Sequence, residues 1–144
     1  MQAPYLVPMT VTNYAVQASF RGHDPAIFVR GDGANTCNSD GLDGVCAYID
    51  AAAGTATLGY NGVFSPNSTG QSGTVLSSGS FTWDNNWHTV RVEVRGDSMQ
   101  FLIDGRVVAS GQISADGQNQ HVGIAQIGNP SELSGNDFTV YALP

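Results

Sequence analysis

The sequence has no lysine, and all five of its basic residues are arginine. Twelve acids leave a formal net charge of -7, a surface that repels phosphate backbones, so nucleic acid is not an expected partner. No apolar run approaches the roughly 18 residues of a membrane helix, which argues against membrane insertion. The first ten residues lack the charged start and apolar stretch of an export signal, and Met1-Gln2-Ala3-Pro4 reads as the start of a mature product or of an excised domain with an added Met. Sustained helical periodicity is absent.

Cysteine is scarce too. Cys37 and Cys46 stand nine positions apart in a loop rich in Gly, Asp and Asn. A metal site would need two further good ligands, and a reactive thiol would need a neighbouring His or cation that the loop does not contain. A disulfide is the expected state, and closing a loop of about ten residues contributes roughly 2.7 kcal/mol on the chain-entropy model. Such a bridge implies an oxidising compartment, extracellular or at the cell surface.

What is abundant is turn and strand chemistry. Eighteen glycines, many Val, Thr and Ser, and closely spaced turn clusters point to one all-β domain, a sandwich or barrel, in a chain of 144 residues. The clearest stretch is 87–110. Val90, Val92 and Val94 alternate with Arg91, Glu93 and Arg95, and Met99, Phe101 and Ile103 continue the apolar face on a second strand. Gly96-Asp97 and Asp104-Gly105 supply the positive dihedrals of two-residue hairpin turns, so the stretch reads as a three-stranded antiparallel meander.

Earlier in the chain, residues 1–11 form a proline-interrupted lead-in that allows a short edge strand at most, and the single domain runs over 12–144. Tyr14, Val16, Ala18 and Phe20 alternate with polar neighbours in a long strand. Strands are expected at 26–30, 45–50, 55–60, 75–78, 121–127 and 136–142. The loop 61–73 carries an apolar pair, Val63-Phe64, expected to tuck onto the sandwich.

Trp87-His88, the alternating valines, the Gly turn, the apolar strand into Asp104-Gly105, Val107-Val108, Gly123-Ile124 and Asn136-Asp137-Phe138-Thr139-Val140 together resemble the laminin-G-like branch of the concanavalin A-like lectin and glucanase superfamily. Tyr14-Ala15-Val16 and Phe28-Val29-Arg30 fit its earlier strands. The resemblance implies a jelly-roll sandwich of two curved antiparallel sheets, with ligands on the concave sheet or rim loops. It also implies that Trp87 plugs the core beneath the hairpin. Such domains usually begin with one more strand than 12–144 supplies, so the last strand is expected at an unpaired edge that invites self-association.

A superfamily that includes glucanases calls for a test of catalysis. A retaining glycosidase needs two carboxyls about 5 Å apart, supplied in this fold by acids alternating along one strand, and no expected strand has them. Glu93, between Arg91 and Arg95, reads as a surface ion-paired residue. The chain is therefore expected not to be an enzyme, with a glycoside hydrolase as the remote alternative.

Binding is the expected role, toward a glycan or a protein surface. Trp83 with Asn85 in the run Asp84-Asn85-Asn86, and Tyr60 with Asn61, are the candidate sugar platforms, since aromatic rings take the C–H faces of sugars while amides and acids take the hydroxyls. Either ring serves equally as a core or rim aromatic. Calcium is the expected metal, because Asp32, Asp40 and Asp43 crowd the cysteine loop with hard oxygen ligands, although Asp is equally at home in turns. Asp137 resembles a position that contributes a calcium ligand in laminin-G-like domains. Arg30-Gly31-Asp32 and Arg95-Gly96-Asp97 both spell an adhesion tripeptide, but Gly-Asp after a strand-ending Arg is ordinary turn chemistry.

Overall fold

A computed structural model describes residues 5–7, 11–31, 37, 44–66, 70–113, 121–127 and 133–144. Its strands are β1 (Tyr5–Leu6), β2 (Asn13–Gly22), β3 (Pro25–Gly31), β4 (Val45–Asp50), β5 (Thr55–Tyr60), β6 (Thr74–Ser80), β7 (His88–Arg95), β8 (Ser98–Ile103), β9 (Arg106–Gln112), β10 (His121–Gln126) and β11 (Leu133–Ala142). They form a six-stranded sheet in the order β1-β10-β3-β4-β5-β6 and a five-stranded sheet in the order β11-β2-β7-β8-β9, antiparallel throughout.

The jelly roll follows from the period-2 pattern. Tyr14, Val16, Ala18 and Phe20 on β2 meet Val90, Val92 and Val94 on β7 and Met99, Phe101 and Ile103 on β8, all buried between the sheets. Positive φ at Gly96 (59°), Asp104 (51°) and Gly105 (82°) makes the two hairpin turns that the sequence predicts. β11 pairs only with β2 and is the edge of its sheet, while the lead-in strand β1 pairs with β10 and places Val7 in the core.

Trp87 departs from its expected role: it is 46% exposed and lies under the Arg21 guanidinium, 5.5 Å from the ring centroid. The core beneath the hairpin is filled by Phe20 and Phe101 instead. The alternation is the cause: with Val90, Val92 and Val94 pointing inward, Trp87 shares the outward parity of Arg91 and Glu93 and falls opposite the outward Arg21.

β3 is buried along its whole length, because its outer face is covered as well. Ile27 and Val29 enter the main core, whereas Ala26 and Phe28 join Cys37, Cys46, Tyr48 and Phe64 in a second cluster on the far side of the sheet. The Cys37–Cys46 disulfide forms as expected. Phe64 donates its backbone N–H to the Cys37 carbonyl at 3.0 Å and lies 5.1 Å from the Tyr48 ring. Its own ring occupies the space where a Cβ on Gly59 or Gly73 would stand. The tucked loop is therefore specified by one phenylalanine and two glycines.

At one end of the sandwich the buried Arg30 donates from Nη1 to the Ile113 carbonyl at 2.9 Å and from its other terminal nitrogen to Gly96, tying β3 to two loops of the other sheet. With its guanidinium so engaged, the first adhesion tripeptide is unavailable to a partner. Burial of Tyr14 beside Arg30 pushes its hydroxyl up to about 12, with the guanidinium charge opposing. Replacement Phe64→Ala should empty the second cluster and lower unfolding free energy by roughly 3–5 kcal/mol, read from urea denaturation of the oxidised protein.

Candidate functional site

At the opposite end from Arg30, the end of β2, the β2–β3 and β4–β5 turns, segment 81–87 and the start of β11 enclose a cleft of about 270 Å³. Its lining is Arg21, Gly22, His23, Ala51, Trp83, Asp84, Asn85 and Ser134. The turns that frame it are fixed by short polar contacts. Asp24, held at φ 54°, accepts the Ala51 N–H at 3.0 Å through Oδ1 and the Ile127 N–H at 3.1 Å through its carbonyl. Asp50 caps the β4–β5 turn by accepting from Ala53 at 3.1 Å and, through its carbonyl, from Gly54 at 2.9 Å. Burial raises the pKa of the Asp24 carboxyl, the Ala51 N–H opposes the rise, and the nearby Asp50 charge adds to it.

Trp83 is the aromatic wall. It packs its inner side on the core and donates Nε1–H to the Gly22 carbonyl at 2.5 Å, which fixes the ring plane. The His88 ring lies 4.5 Å from it, and Phe81 meets His88 edge-on at 5.7 Å.

His88 is itself clamped. Its Nε2 lies 2.6 Å from Asp84 Oδ1 and its Nδ1 2.6 Å from Asp104 Oδ2. Carboxylates only accept, so the ring that satisfies both is the doubly protonated imidazolium. Asp104 also accepts the Thr89 N–H at 2.9 Å, and Asp84 accepts the Asn86 N–H at 3.0 Å, so the clamp joins segment 81–87 to the β8–β9 turn. Desolvation pulls the His88 pKa down, but hydrogen bonds from Asp104 and Asp84, and then their charges, outweigh it and the net shift is upward. Asp84 is held below the usual carboxylate range, first by the Asn86 N–H and then by His88. Asp84 stands at i-4 from His88 in the sequence, but Asp104 arrives only through the hairpin.

The predicted sugar platforms separate. Trp83 and Asn85 line the cleft, whereas Tyr60 and Asn61 lie at the far end of β5 from Ala51, roughly 17 Å along the strand from Thr55. Tyr60 packs against the core, and Asn61, at φ 54°, donates its N–H to the Gly44 carbonyl at 3.2 Å as a turn residue. The structure adds Arg21, Ser134 and the exposed Trp87 stacked on Arg21. Of the calcium set, Asp32, Asp40 and Asp43 lie outside the described residues. Asp137 is an exposed bulge residue at φ 57° and belongs to no group of three or more His, Cys, Asp or Glu among the described residues. No described strand carries two alternating acids, and Glu93 pairs with Arg91 at 2.8 Å and Arg95 at 4.0 Å.

The clamp has a signed pH dependence. Because the folded His88 holds its proton more tightly than the unfolded chain does, its contribution is complete below about pH 6.5 and fades as pH rises through the raised folded value. Thermal melts from about pH 6 upward should show Tm falling over this window in the parent protein, and His88→Gln should flatten that slope.

No protein-family model matches the chain, and no curated protein matches it in sequence. Among solved structures, it superposes on the carbohydrate-binding module CBM66 from Bacillus subtilis with a TM-score of 0.66 at 14% identity, over 96% of this chain and 77% of that one. Sheep galectin-11, in complex with glycerol, gives 0.57 at 10% identity over 94% and 96%. An alginate lyase from Pseudomonas aeruginosa gives 0.52 at 11% over 96% and 68%. At these identities the likeness is one of fold, a jelly-roll sandwich of two antiparallel sheets, and the laminin-G-like branch is not shown.

Proposed function

We propose that the chain is a non-catalytic carbohydrate-binding module that takes its glycan in the end cleft. The observation that carries this reading is the cleft itself. A tryptophan whose ring plane is fixed by its bond to Gly22 stands beside a guanidinium, a carboxylate, an amide and a hydroxyl from Arg21, Asp84, Asn85 and Ser134. A sugar needs this combination, an apolar ring face with polar groups converging around it. The carbohydrate-binding module and galectin among the fold neighbours support the same role. The alginate lyase neighbour, at 11% identity, shares the fold alone, and the lack of alternating carboxylates on any described strand counts against a retaining glycoside hydrolase.

The Cys37–Cys46 disulfide supports an extracellular or cell-surface setting. Calcium held by Asp32, Asp40 and Asp43 stays part of the proposal on the oxygen-rich chemistry of that loop. No helix among the described residues is long and apolar enough to cross a membrane. A second reading, assembly through strand addition, is favoured by the unpaired β11 edge. Light scattering over a wide concentration range checks it, and a strict monomer would count against it.

A polysaccharide panel titrated by calorimetry, with calcium and with EDTA, tests the main reading. Binding should weaken at least about tenfold in Trp83→Ala. Trp83→Phe, which keeps a ring but loses the bond to Gly22, should fall between. Loss of binding in EDTA would establish the calcium. Absence of binding to every glycan would overturn the module.

A further inference from the structure

Both of the large exposed aromatic rings among the described residues, Trp87 and Tyr141, carry an arginine over their faces. Arg21 stands 5.5 Å from the Trp87 centroid and Arg91 stands 5.2 Å from that of Tyr141. Both pairs lie on the outer face of the five-stranded sheet. Phe20 and Val16 point into the core, so Arg21 and Gln17 point outward, and Gln17 is paired with Arg91. Arg95 continues the outward file on β7. Three of the five arginines in an acidic protein therefore share one face.

The face has relief as well as charge. The register sets Tyr141, Ala15, Glu93, Gln100 and Ser110 side by side across the five strands, with Ala15 covered by its neighbours. A depression of about 180 Å³ lies over Glu93, Arg95, Ser98 and Gln100. Arg91 is held by Glu93 through Nε at 2.8 Å and by Gln17 through Nη1 at 3.2 Å, so its guanidinium is positioned in advance.

We propose, building on the carbohydrate-binding reading, that this face is a linear track for an acidic polysaccharide, its sugar faces on Trp87 and Tyr141 and its anionic groups on Arg21, Arg91 and Arg95. The spacing selects the polymer. Arg21 is four residues from Gln17, the partner of Arg91, and Arg91 is four from Arg95, so the cations recur roughly every 13 Å. That suits a polysaccharide of acidic sugars, some of whose anionic groups each meet one arginine, and not a duplex with one charge per about 1.7 Å, which the acidic remainder of the surface repels. At physiological salt, charges beyond about 8 Å are screened, so the local arginines decide the contact. The track meets the end cleft at Arg21, which belongs to both.

Calorimetric titration of the intact chain with alginate, with chondroitin sulfate and with a neutral β-glucan tests this. Alginate should bind at least about tenfold more tightly than the neutral polymer, as expected for a charge-assisted contact. Arg91→Gln, checked for unchanged melting, should remove most of that preference while leaving β-glucan binding as it was, and Tyr141→Ala, checked the same way, should weaken alginate binding at least about tenfold. If only chondroitin sulfate shows the preference and the same losses, the anionic group read by the track is sulfate. Equal binding of acidic and neutral polymers, insensitive to both variants but lost in Trp83→Ala, would overturn the track and leave the cleft reading intact. Binding of none would overturn both.

Discussion

Phe64 closes the outer face of the six-stranded sheet, and much of the molecule's surface chemistry follows from that closure. Its ring needs the volume that any side chain at Gly59 or Gly73 would fill, and the Cys37–Cys46 bridge lies in the same apolar cluster. β3 then lies between two apolar clusters, buried along its whole length. A sheet covered on both sides over β3 and β4 offers little to a ligand there. The open surfaces are the end cleft and the outer face of the five-stranded sheet.

Each end of the sandwich is held by a cation placed among acceptors, but with different chemistry. Arg30 satisfies two backbone carbonyls with its guanidinium. His88 ties the cleft end together only while protonated, and the segment it holds is the one that presents Trp83. Site geometry and the protonation of one imidazole are coupled at that end.

The distribution of arginine links the two proposed sites. With no lysine and five arginines, the chain spends one cation inside the fold and sets three along the outer face of one sheet, two of them stacked on exposed rings. Guanidinium, unlike ammonium, can stack on a ring and donate in its plane at once, which is why such pairs suit a ligand that is part apolar ring face and part anion.

The all-β class, the meander, the hairpin turns, the disulfide and the tucked Phe64 were legible in the sequence, because alternation, turn chemistry and close cysteine spacing are local. Trp83 and Asn85 stood out in the sequence for the same reason, as an aromatic in a polar run, and both line the end cleft. Sequence could not separate them from Tyr60 and Asn61, since nothing local says which end of a strand opens into a cleft. Trp87 was placed in the core by resemblance and is exposed because it shares the outward parity of Arg91 and Glu93. The Asp84–His88–Asp104 clamp, the sharing of Arg21 between cleft and track, and the stacking of Arg91 on Tyr141 join positions distant in the chain, Arg21 and Trp87 among them. Strand register alone brings such positions together, and register is a property of the packed sheets.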